Sequence, residues 1–195
     1  FGPLSPVGGS MMRDPAREGL AADPHTLEPL GALQAQHDGF VLPVVALDGQ
    51  GGMFISFMDD QRFYDHAVIR HYQFGNPFLQ VRLEAIPGCA QTGCQDGYTP
   101  TVCADGAGGV FVAWLVRGAR VLRLTDSLTI APGWPDSAVA VSTLQATALY
   151  VGICPDGAGG AFVAWQGTSS GPSEFRVQRI TASGSRAAGW PGEGL

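Results

Sequence analysis

The sequence predicts an all-β protein built from a repeated four-stranded antiparallel unit, and three observations carry that expectation. The chain holds 28 Gly and 14 Pro in 195 residues with only 14% charged residues, a composition of tight turns rather than long helices. A pentapeptide of the form Asp-Gly-x-Gly-Gly occurs three times, each time just ahead of a β-branched and aromatic run. The spacings are 105 − 48 = 57 and 156 − 105 = 51 residues, a period at which each repeat folds as one small supersecondary unit.

The three segments align without gaps as Asp48–Phe57, Asp105–Trp114 and Asp156–Trp165. Each unit reads as strands A to D. Strand A is short and apolar, at 43–47, 100–104 and 151–154. The pentapeptide then reverses the chain, because glycine takes positive φ freely and an Asp side chain can bond the main chain two residues on. Strand B is the Phe-Val-Ala-Trp type of run, apolar on both faces, as a strand stacked between neighbouring sheets should be. Strand C ends near a recurring arginine: Val-Ile-Arg70, Val-Leu-Arg123 and Val-Gln-Arg179. A Gly-Trp-Pro turn follows at 133–135 and 189–191, and strand D is expected near 138–142 in the middle unit. Helical repeats would need an apolar period of 3.6 residues, and none is present.

With these motifs, residues 40–195 resemble secreted, repeat-rich bacterial proteins whose tandem segments carry Asp-Gly-x-Gly-Gly, Val-Ala-Trp, a later Arg strand and a Gly-Trp-Pro-like turn. The match is close at 105–114, 123, 133–135, 156–165, 179 and 189–191, and looser at 48–57 and 70. The resemblance implies a β-propeller-like fold, export to the periplasm or outside the cell, and no shared catalytic residue. It divides the chain into an irregular arm (1–38) that lends a strand to a blade, then blades at 39–97, 98–147 and 148–195. The outer strand of the last blade is expected to be truncated or supplied by another segment. Propellers hold about 4–8 blades, so three predict an incomplete ring, closed by further chain or by a second copy.

The net charge of −6, with 11 basic and 17 acidic residues, argues against a nucleic-acid surface, which needs a basic patch. The longest apolar run, 110–116, is too short to span a bilayer as a helix. Blade topology puts the constant A–B and C–D turns on one face and the variable B–C and D–A loops on the other, where binding residues usually sit. The first B–C loop holds Asp59, Asp60, Arg62, Tyr64 and Asp65, and the D–A loop after it runs to Tyr98; these six are the candidate binding residues. Cys89 and Cys94 in that second loop are the candidate disulfide.

Calcium is the one cofactor entertained, at the Asp turns or the first B–C loop, although each turn offers a single carboxylate where calcium wants 6–8 oxygens. No metal centre and no catalytic residue is assigned. His66 and His71 are five residues apart, so in a strand they face opposite ways, and both read as surface histidines. Trp114 and Trp165 are expected between blades with their indole N–H groups bonded. The expected function is a non-catalytic protein-interaction or scaffold module. The alternatives are a glycan- or calcium-binding propeller and a hydrolase with its site at the channel mouth.

Overall fold

The computed structural model describes residues 43–60, 65–85, 98–116, 118–141, 147–168 and 174–195. Arg62, Tyr64, Cys89, Cys94 and the arm predicted for 1–38 lie outside the described residues.

Every sheet is antiparallel, and helix among the described residues is limited to one 3₁₀ turn at Leu83–Ala85. Sheet one contains β1 (Val44–Leu47), β2 (Met53–Asp60), β3 (Asp65–Tyr72) and β4 (Leu79–Arg82) in that order. Sheet two repeats the order with β5 (Tyr98–Ala104), β6 (Val110–Leu115), β7 (Ala119–Leu124) and β8 (Val139–Ala140). Sheet three contains β9 (Thr147–Pro155), β10 (Ala161–Thr168) and β11 (Glu174–Ile180). Beyond β11, Leu195 exchanges both main-chain hydrogen bonds with Val177, the register that Val139 holds opposite Val121 in sheet two. The order of the first three predicted strands is therefore present three times, and the fourth strand in the first two sheets.

Register corrects one landmark. Phe111 pairs with Arg123 and Phe162 with Arg179, but the matching Phe54 pairs with His71, not Arg70. Since alternate strand residues point to opposite faces, the one-residue slip puts Arg70 on the other side of sheet one from the position Arg123 and Arg179 hold. The first B–C loop is also shorter than predicted. Strands β2 and β3 continue through the pairs Asp59↔His66 and Asp60↔Asp65.

The sheets stack in sequence, always with the same face forward. Phe54, Ser56, Ile69 and His71 face sheet two, where the Ser56 hydroxyl donates to the Pro100 carbonyl at 2.8 Å. Phe111, Ala113 and Val121 face sheet three, and Trp134, packed on Phe111, donates its indole N–H to the Ala182 carbonyl there at 2.7 Å. These contacts form one continuous core centred on β6, all six of whose residues are buried. A smaller cluster of Ile55, Phe57 and Val68 occupies the outer face of sheet one, where the Arg70 guanidinium lies over the rings of Phe57 and Phe78 at 5.1 and 4.7 Å.

A candidate interaction face and the latches behind it

The pentapeptide is explained position by position. The Asp carboxylate Oδ1 accepts the main-chain N–H of the third and fifth residues: Gln50 and Gly52 for Asp48, Ala107 and Gly109 for Asp105, Ala158 and Gly160 for Asp156. The second and fourth residues have φ between 73° and 93°, a region only glycine enters freely. At the fifth position a side chain has no room, because a Cβ on Gly52, Gly109 or Gly160 would strike the carbonyl of Tyr72, Leu124 or Ile180. Only the third position is unconstrained, which is why it alone varies.

The second carboxylate oxygen fastens the turn to the third strand. Arg123 reaches Asp105 Oδ2 through Nε and Nη2, both at 2.8 Å, and Arg179 does the same to Asp156. In sheet one the partner is His71, whose Nε2 lies 3.0 Å from Asp48 Oδ2. Burial pushes the Asp48 carboxyl up, but hydrogen bonds from His71, Gln50 and Gly52 outweigh it and hold the group below its ordinary value. Asp156 is held low in the same way, by Ala158, Arg179 and Gly160 against its burial.

These carboxylates are thus turned to N–H donors. Among the described residues no three His, Cys, Asp or Glu side chains gather as metal ligands. The reading of His71 as a surface residue is corrected: it is buried and stacked on Phe54 with ring centroids 4.0 Å apart. Arg70, which aligns with Arg123 and Arg179 in sequence, instead bonds Gln80 and the Tyr72 hydroxyl. Trp114 departs from expectation as well, since its buried indole N–H has no hydrogen-bond partner among the described residues.

Of the predicted binding residues, Asp59 and Asp60 sit at the end of β2, Asp65 at the start of β3 and Tyr98 at the start of β5. The backbone pairing of β2 with β3 brings Asp60 opposite Asp65. It does not bring Tyr98 into the same hairpin, because Tyr98 pairs with Leu115.

Sequence reading missed the forward face of sheet three. There Phe162, Ala164, Phe175 and Val177 lie in the places whose counterparts are covered in sheets one and two, and Cys154 and Tyr150 lie on the same face. Tyr150 is 67% exposed and Phe175 78%, and Ala164 and Cys154 are exposed as well. The available signal was the strand pattern: apolar residues on both faces of a strand imply a neighbour on both sides.

No family model matches the chain, and no curated protein matches it. Among solved structures it is similar to a protein of Bacteroides thetaiotaomicron described as a "putative glycosidase", at 12% identity and a TM-score of 0.48. That likeness covers 78% of this chain, which spans about half (53%) of the other. At this distance it assigns neither an activity nor a substrate. No helix among the described residues is long and apolar enough to cross a membrane.

Proposed function

We propose that the chain is a non-catalytic interaction module of propeller type, whose three sheets are blades and whose forward face on sheet three docks a partner. The observation that carries this reading is the uncovered apolar face itself. The equivalent Phe54, Ser56 and Ile69 in sheet one and Phe111, Ala113 and Val121 in sheet two are buried against the next sheet, so the surface has the shape and chemistry of an interface. Supporting the non-catalytic part, the buried carboxylates of the three turns are spent on holding main chain and third strand together.

The partner is a second copy of the chain, meeting this one face to face. The outer face of sheet one has a buried cluster capped by Arg70, with Val45 and Leu47 of β1 exposed beside it, and the remaining faces lie between sheets. The forward face of sheet three, with Tyr150 and Phe175 exposed on it, is the face that a second copy meets with its own in a self-complementary two-fold contact. The variable loop face expected from the sequence is a second surface of the same module, for other protein partners.

Sedimentation velocity over a range of concentrations tests the reading. The wild type and Leu47→Glu, exposed on β1 of sheet one, should form dimers as concentration rises. Phe175→Glu and Tyr150→Glu should remain monomers, with unchanged circular dichroism. A wild type that is monomeric throughout, or face variants that dimerise as well as wild type, overturns it.

A further inference from the structure

Sheet one differs from its two siblings in the group that latches its turn, and that group lies on the joint to sheet two. Where Arg123 and Arg179 latch their turns, His71 stands, with both ring nitrogens against acceptors. Nδ1 lies 2.6 Å from the Asp126 main-chain carbonyl and Nε2 lies 3.0 Å from Asp48 Oδ2. A carbonyl can only accept. The Asp48 carboxylate, whose Oδ1 already accepts two main-chain N–H groups and whose acidity those bonds raise, also accepts. A neutral imidazole has one N–H and satisfies one of these partners; the imidazolium has two and satisfies both.

We propose that His71 is a proton-operated latch that ties the first sheet to the second when its ring carries two N–H groups and releases one of its two bonds when the ring loses a proton. The loss matters because of where it falls. The side chains of His71 and Asp48 are 0% and 2% exposed, so a neutral ring leaves a buried carboxylate without its cation and turns one short contact into acceptor against acceptor. Arginine keeps its proton throughout the physiological range, so the latches of sheets two and three do not respond.

Few charged groups face the ring. From the β1–β2 turn the charged group facing the ring is Asp48, and β2 contributes the stacked Phe54. The connection after β7 contributes the Asp126 carbonyl, while the exposed Asp126 carboxylate accepts from the Ser127 hydroxyl instead. Strand β5, packed over this face, contains no Asp, Glu, Arg or His, and its only titratable side chains belong to Tyr98 and Cys103. On β3 itself, Arg70 and Tyr72 point to the opposite side of the sheet and bond each other.

Both bonds are satisfied while the ring carries two N–H groups and one is lost when a proton leaves, so the latch weakens as pH rises. Amide hydrogen exchange on the full chain reads this locally. The Gln50 and Gly52 amides, both bonded to Asp48, should lose about tenfold in protection relative to Ala107 and Gly109 as pH rises across the histidine range of about 5 to 8. His71→Arg should abolish that difference and make the first turn behave like the second. As a readout that needs no variant, ¹⁵N spectra should show His71 with two protonated ring nitrogens at the low end of the range. A neutral ring there, or the same relative pH response in wild type and His71→Arg, overturns the proposal.

Discussion

Phe111 and Phe162 hold the same register, opposite Arg123 and Arg179. Phe111 is fully buried whereas Phe162 is partly exposed; Ala113 is buried and Ala164 exposed; Cys103 is buried and Cys154 exposed. The turns behind these residues are nonetheless alike, down to the 2.8 Å ion pair. Local conformation is therefore written within each repeat, whereas burial is decided by the next sheet. Sheet two is a core element and sheet three a surface element made from almost the same residues.

The largest expected effect breaks or upholds that contrast directly. Phe111→Ala should cost about 3–5 kcal/mol of stability, the usual range for deleting a fully buried aromatic ring. Phe162→Ala, with part of its ring already in water, should cost about 1–2 kcal/mol. Urea denaturation of the two variants side by side measures this, and equal losses would end the distinction between core and surface sheet.

The turns should show the opposite behaviour. Gly109→Ala and Gly160→Ala each drive a methyl group against a main-chain carbonyl, which forces backbone movement and should cost about 1–3 kcal/mol. The two losses should agree within experimental error, because the clash lies inside the repeat. A much milder effect in sheet three would mean that the turn depends on its neighbour after all.

Acid should reveal the latches next. The native state holds Asp48 and Asp156 below the ordinary value of 3.8, so their contribution is full above that value and is lost as pH falls through the lower folded value. The denaturation midpoint should therefore decline below about pH 4, and Asp156→Asn should be less stable at neutral pH but show a shallower acid decline.

The smallest effect concerns reactivity rather than stability. Burial pushes the Cys103 thiol up to about 12, with the nearby Cys154 and Asp105 adding to it, so Cys103 presents almost no thiolate near neutral pH. Alkylation followed by peptide mass mapping should label Cys154 well before Cys103. If sheet three docks a second copy, Cys154 labelling should slow as protein concentration rises.

Much of the fold was legible from residues that have one physical reason to be present. The pentapeptide encodes its turn because glycine is required at three positions and a short carboxylate at the first. The first three strands of each unit announce themselves by apolar runs between those turns. The fourth strand does not: β4 is Leu-Gln-Val-Arg with two exposed residues, and β8 is a single pair, Val139 and Ala140. β8 still falls within the 138–142 expected for it, whereas β4 has no pattern to detect. The role of His71 was hidden by the arginine beside it, since aligning like with like selected Arg70 and missed a change of side chain at a constant position. The open face of sheet three was invisible for a different reason. Its sequence matches that of a buried face, and only the stacking order tells which copy is left uncovered.

The joints between sheets have a consequence for how such a chain can change over time. In both, a ring N–H from one sheet meets a main-chain carbonyl of the next, at Asp126 and at Ala182. The accepting residue is acidic in one case and a methyl group in the other, and the joint is indifferent to the difference. A duplicated or shuffled unit would find its docking point ready-made wherever it was inserted, and its neighbours would need no compensating substitution.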